Sequence, residues 1–201
     1  TIKHLFIKIT DNFIGGLMPE IYLKKANKTP ETGTSETRKI VERMLSEIEN
    51  GKEEIAKKYA LELDGFSGEV IISKEKIEEA GKQVPEKLKD DIKFAHERIK
   101  KFAEAQKESV KEFETELSPG LWAGQKLIPI ETAGCYVPGG RYAHVASAIM
   151  SITTAKVAGV ENIIACSAPK GNDGPNPAIL YTMNYCGADK ILALGGVQAI
   201  A

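Results

Sequence analysis

Residues 133–160 read AGCYVPGGRYAHVASAIMSITTAKVAGV, residues 162–169 read NIIACSAP, and residues 187–201 read GADKILALGGVQAIA. Gly134-Cys135-Tyr136-Val137 is a short apolar run that ends at Pro138-Gly139-Gly140. The Ala-rich stretch from about Tyr142 to Val157 has the length of a helix. Asn162 to Ser167 is a second apolar run, and Pro175 to Cys186 a second helical segment with Gly187 as its stop. Lys190 to Leu194 is a third run, closed by Gly195-Gly196. Short apolar runs alternating with helix-length segments predict a βαβαβ unit with a parallel sheet.

In an open parallel sheet, ligands bind beyond the carboxyl ends of the strands. Each of those ends carries a loop here: Pro138-Gly139-Gly140, then Ser167-Ala168-Pro169 running on to Gly174, then Gly195-Gly196 followed by Gln198. All three are expected on one edge of the sheet. Glycine lets a backbone approach a ligand closely, and free N–H groups at helix starts favour phosphate. Tyr136 ends the first strand and is placed to stack on a flat ring. The Gln198 amide can donate and accept hydrogen bonds. Tyr136, Pro138, Gly139, Gly140 and Gln198 are thus the candidate cofactor contacts. Arg141 follows the first loop and is a candidate partner for a phosphate, carboxylate or sulfonate. On spacing alone the glycines are better explained as tight turns, and the GxGxxG fingerprint is absent. Spacing alone supports an α/β domain with a nucleotide or phosphate edge. His144, read one turn into the helix, has no carboxylate partner in the sequence and reads as a partly buried helix residue. His4 and His96 receive no role.

Upstream of this unit the composition changes. Of 27 Lys and Arg and 28 Asp and Glu, only nine lie from Pro119 onward. The first half therefore reads as a solvated helical region. Ile40, Val41, Met44, Leu45 and Ile48 form one stripe at helical period, stopped by Asn50-Gly51. Ile55, Ala56, Tyr59, Ala60 and Leu63 form another, stopped by Gly65. Val70-Ile71-Ile72 reads as a short strand, and Ser73 as the cap of the next helix. Pro85 suits the first turn of a long helix whose stripe is Leu88, Ile92, Ala95, Ile99 and Phe102. Such stripes exist to be packed, in a core or against a second subunit. Residues 113–130 read as a strand pair turning at Pro119-Gly120. The expected organisation is an extension over 1–17, a helical region with a short strand over 18–118, and the first part of a Rossmann-like domain over 119–201.

The 201 residues carry a net charge of −1, with 42% hydrophobic and 27% charged residues. That balance gives no general attraction to nucleic acid or anionic lipid. No apolar run approaches the ~18 residues needed to span a bilayer. Residues 1–20 are broken by Lys8, Asp11 and Asn12 and make a poor signal peptide; Met18 is a natural start. Cys135, Cys166 and Cys186 are odd in number and widely spaced. They suit neither a disulfide framework nor a CxxC metal site, and they favour the cytoplasm. Cys166 and Cys186 read as small buried apolar residues.

The three stretches quoted first also resemble the first nucleotide-binding-like domain of the histidinol dehydrogenases. The ordered set is a strand ending in Tyr136-Val137-Pro138-Gly139-Gly140, the helix with Lys156 and Gly159, the strand end Cys166-Ser167-Ala168-Pro169, and Gly195-Gly196-Val197-Gln198-Ala199-Ile200-Ala201. The resemblance implies a Rossmann-like fold of the aldehyde dehydrogenase kind. It also implies a homodimeric, NAD- and zinc-dependent enzyme that oxidises a primary alcohol through an aldehyde to a carboxylate, using two NAD in succession. In the family pattern the positions of Tyr136 and Gln198 contact NAD. Its zinc ligands and its Glu-His acid/base pair are expected beyond residue 201, so this chain is expected to be an amino-terminal part, inactive by itself. Arg141-Tyr142-Ala143-His144 and Thr153-Thr154-Ala155-Lys156 depart from the histidinol pattern. They are similar to the sulfopropanediol dehydrogenase branch, which implies 2,3-dihydroxypropane-1-sulfonate as substrate and sulfolactate as product. Histidinol is the alternative substrate, and a non-catalytic nucleotide-binding module the alternative class.

Overall fold

The computed structural model describes residues 35–128, 130–139 and 142–201. The expected extension over 1–17, together with Gly140 and Arg141, lies outside the described residues.

Three helices come first: α1 (Ser35–Asp64), α2 (Lys74–Gln83) and α3 (Glu86–Ser109). Asn50-Gly51 was expected to end the first helix. The helical pairing instead runs on, with a break one residue later, where Lys52 takes φ 53° and ψ −136°. Met44, Ile48, Tyr59 and Ala60 of the two stripes are buried, while Ile40 and Leu63 are exposed. Gly65 leaves α1 at φ +65°, a left-handed exit that glycine makes without a Cβ clash. Ser73 caps α2 by accepting the Lys76 N–H at 3.3 Å. Pro85 stands just before α3 rather than inside its first turn. The α3 stripe turns Ile92 into the core, with Leu88, Ala95 and Ile99 packed against it, and leaves Phe102 exposed.

A hairpin follows, β1 (Phe113–Ser118) antiparallel to β2 (Leu121–Gln125), turning at Pro119-Gly120 with Gly120 at φ +82°. Every residue of both strands is exposed.

The remainder is the expected βαβαβ unit. Strands β3 (Thr132–Tyr136), β4 (Asn162–Cys166) and β5 (Lys190–Leu192) are parallel and lie in the order β3-β4-β5. Helix α4 (Val145–Ala158) joins the first two, and α5 (Pro177–Cys186) the second and third. Both end on a left-handed glycine, Gly159 and Gly187. Val70–Ile72 was expected to be a strand. It forms a single antiparallel bridge, Ile71 to Leu192, with Ile72 N–H donating to Ile191 O and Ala193 N–H to Val70 O.

Register assigns the faces of the sheet. Cys135, Ala165 and Ile191 lie side by side, as do Tyr136, Cys166 and Leu192 on the other face. Helices α4 and α5 pack together and cover the first face. The short α6 (Gly196–Ile200) lies on the second face, where Cys166 Sγ is 4.0 Å from Ala199 O. Helix α1 packs on α6, α3 on α4 and α2 on α5. One core therefore spans both halves of the chain. Ala60, Phe66, Ile72 and Ile92 join Val137, Ile149, Ile152, Ile163, Ile179 and Met183. At about 1.5–3 kcal/mol per fully buried large apolar side chain, this cluster is the main support of the fold.

Candidate functional site

The three strand-end loops do meet at the carboxyl edge of the sheet, and Gly139 of the first and Gly195 of the third both face Ser167-Ala168 of the second. A methyl group at Gly139 would lie 2.5 Å from Ser167 Oγ and 3.2 Å from Ile179 Cδ1. One at Gly195 would lie 2.6 Å from Ala168 Cβ. Gly195 has ordinary extended backbone, φ −121° and ψ 176°, so closeness rather than conformation requires it. The expectation was of glycines that make room for a ligand. At these two positions the room is taken by Ser167-Ala168, on which the first and third loops nest.

Tyr136 stands on the α6 face at the end of β3, and the residue is about one-third exposed. Its hydroxyl accepts the Gly196 N–H at 3.3 Å, which ties the first strand to the third loop. Gly196 takes φ +56°, and the chain turns there into α6. Two residues on, Gln198 is 4% exposed. Its Nε2 donates to Asp64 Oδ2 at 3.0 Å, and its Oε1 is buried without a hydrogen-bond partner. Tyr136 and Gln198 are thus brought together through one turn. Burial pushes the Asp64 carboxyl up from its ordinary value, opposed by the hydrogen bond from Gln198. Ser167 Oγ is a second buried oxygen without a partner.

Beside this edge runs a cleft of about 630 Å³ between α2 and the loops after β3 and β4, with Gly139, Tyr142, Lys170, Asn172 and Asn176 on its wall. Asn172 Oδ1 accepts from Ser67 N–H and Ser67 Oγ–H, which fastens the second loop to the segment after α1. Asn176 caps α5 by accepting the Ala178 N–H. Pro138 precedes Gly139 at the mouth of the first loop. His144 is exposed and immediately precedes α4, a later helix start than the sequence suggested. Its ring meets Tyr142 edge-on at 6.5 Å. A cleft of about 690 Å³ between α3, α4 and α5, lined by His96, Lys100 and Thr153 among others, touches none of the strand-end loops.

Cys135, Cys166 and Cys186 are free and buried. Burial pushes the Cys166 and Cys186 thiols up to about 11. They behave as packing groups rather than nucleophiles. Among the described residues no group of three or more His, Cys, Asp or Glu stands together to hold a metal ion.

Asp64 belongs to no motif or stripe in the sequence. One signal was available, because a carboxylate in the last turn of a helix opposes the helix dipole.

The family model for histidinol dehydrogenase matches residues 27–201. The chain belongs to the histidinol dehydrogenase family. A histidinol dehydrogenase homolog of Pelagibacter ubique is 58% identical over 181 residues, covering 90% of this chain and 42% of the relative. The sulfopropanediol 3-dehydrogenase of Ruegeria pomeroyi is 51% identical, covering 90% and 41%. Among solved structures, histidinol dehydrogenase from Elizabethkingia anophelis superimposes with a TM-score of 0.77 at 31% identity, covering 85% of this chain and 39% of that one. The chain thus spans about two-fifths of the length of these family members.

Proposed function

We propose that this chain supplies the dinucleotide-binding edge of an NAD-dependent dehydrogenase that oxidises a primary alcohol through an aldehyde to a carboxylate. The observation that carries the reading is the meeting of Tyr136, the Gly195-Gly196 turn and Gln198 at the carboxyl edge of a parallel sheet, in a chain of this family. That edge is where open α/β sheets take nucleotides. Tyr136 offers a partly exposed side chain for stacking, Gln198 a buried amide oxygen awaiting a donor, and Pro138-Gly139 a backbone rim. NAD supplies the hydride acceptor in each of two steps, and water supplies the second oxygen of the carboxylate. The residues on this edge bind and orient the dinucleotide. The zinc that family membership suggests would take its ligands from outside the described residues.

The proposed substrate is 2,3-dihydroxypropane-1-sulfonate. The support is the 51% identity to a sulfopropanediol 3-dehydrogenase, together with Arg141 as a fork of donors suited to a fixed anion. Histidinol is the second reading, favoured by the 38% identity to a histidinol dehydrogenase of Methanococcus maripaludis. Both alcohols are to be assayed side by side for NADH production, with an enzyme carrying this sequence at the length of its relatives. A higher kcat/KM for the sulfonate is expected; a higher value for histidinol rejects the substrate and leaves the dehydrogenase reading intact. No NAD reduction with either substrate counts against both.

We place the enzyme in the cytoplasm, a reading supported by three buried unpaired cysteines. No helix among the described residues is long and apolar enough to cross a membrane.

A further inference from the structure

Asp64 ends α1, where the helix dipole disfavours a negative charge, and its carboxyl is partly withdrawn from water. No cation pairs with it among the described residues. Its one strong partner is the Gln198 amide, 134 positions away in sequence. A residue kept where both charge and solvation work against it is expected to serve something other than the stability of its own helix.

We propose that Asp64 is a positioning residue for the cofactor edge, acting through Gln198. An ionised carboxylate only accepts hydrogen bonds, so it selects the NH₂ end of the amide. That choice turns Oε1 away from α1 and back over the turn, where it lies 3.2 Å from the point a methyl group on Gly196 would occupy. The Gly196 N–H is meanwhile held by the Tyr136 hydroxyl. The turn is therefore fastened from two sides, by Tyr136 from β3 and by Asp64 from α1. Asp64 Oδ2 also lies 3.4 Å from the corresponding point on Gly195, so the carboxylate lines the back of the same turn. Without this acceptor the amide is free to rotate, a buried N–H loses its partner, and the turn that links the two proposed dinucleotide contacts loses one of its fastenings.

This inference rests on the dinucleotide reading of the edge. The test uses the full-length family enzyme carrying this sequence, in four variants: Asp64→Ala, Asp64→Asn, Gln198→Ala and Asp64→Ala/Gln198→Ala. Asp64→Ala is expected to raise the KM for NAD by about fivefold to tenfold, as for the loss of one buried hydrogen bond. Changes in kcat and in the KM for the alcohol should stay within twofold. Asp64→Asn keeps an acceptor oxygen and should recover most of the loss. In the Gln198→Ala background, removing Asp64 should add nothing further. If the alanine variant does not fold, Asp64→Ser, which is too short to reach Gln198, is measured in its place. Additive effects in the double variant, or an equal loss in kcat and in KM for both substrates, overturns the positioning role. Tyr136→Ala is measured beside them. If Tyr136→Ala and Gln198→Ala both leave NAD kinetics unchanged, the dinucleotide reading itself falls. If they raise the KM while Asp64→Ala does not, only the role of Asp64 falls.

Discussion

Gly195 shows how little of this edge one residue type reveals in sequence. A glycine after a strand suggests a turn or a place for ligand; in the fold it lets one loop press on another. Replacing it with alanine puts a methyl group 2.6 Å from Ala168 Cβ and 3.1 Å from Ala168 Cα. Alanine has no side-chain torsion that could carry its Cβ aside, so the two loops must shift apart. Gly195→Ala is expected to cost about 1–3 kcal/mol, as overpacking does. Denaturant unfolding of the purified chain measures it, and a loss below about 0.5 kcal/mol, the ordinary surface value, would show that the loops are not nested. Asp64 is the contrasting case. Its residue type and position were visible as an oddity at a helix end, but its partner was invisible, because no periodicity relates positions so far apart in the chain.

The elements were legible in proportion to how local their causes are. The parallel unit was readable because each strand is a continuous apolar run and each helix ends on glycine. The break in α1 falls at Lys52, one residue past Asn50-Gly51, which is within the one or two residues by which helix boundaries ordinarily vary. The extended segment Val70–Ile72 pairs with β5 by a single bridge at Leu192, a long-range contact that its local apolar run does not reveal. Burial of a given residue type was the least legible property. Ile163 in β4 is completely buried, whereas Ile128, after the hairpin, is 85% exposed. Ile163→Ala is therefore expected to cost about 2–5 kcal/mol. Ile128→Ala should stay within about 0.5 kcal/mol. Paired urea titrations compare the two; similar losses would contradict the burial pattern.

For the whole molecule, the thiols link packing to pH. Cys166 and Cys186 have an ordinary value of 9.0, which applies to the unfolded chain, and stand at about 11 when folded. Below pH 9 both states hold the protons, and the contribution to stability is complete. As pH rises from 9 towards 11 the unfolded state loses protons first, so stability falls across that window. Unfolding midpoints taken at pH 8 to 11 should decline, and less steeply in a Cys166→Ala/Cys186→Ala variant; an unchanged slope would assign the decline to other groups. Association is the second property at this scale. Leu61, Leu63, Phe94 and Phe102 on the helices are each more than half exposed. We propose that these helices contribute to a homodimer, which buries such surface. Light scattering of the full-length enzyme should give twice the subunit mass, and a monomer with intact helices would remove this assignment.

The packing of α1 against α6 has a consequence for the order in which the chain can fold during synthesis. At about 5–20 residues per second, residue 198 leaves the ribosome on the order of 7–27 s after residue 64. Until then, the face of α1 that carries Met44, Ile48 and Tyr59 has no Val197 to pack against. Helix α1 is thus made early and completed late. In the finished protein its amides should exchange with deuterium sooner than those of α4, which is enclosed by α3, α5 and the sheet.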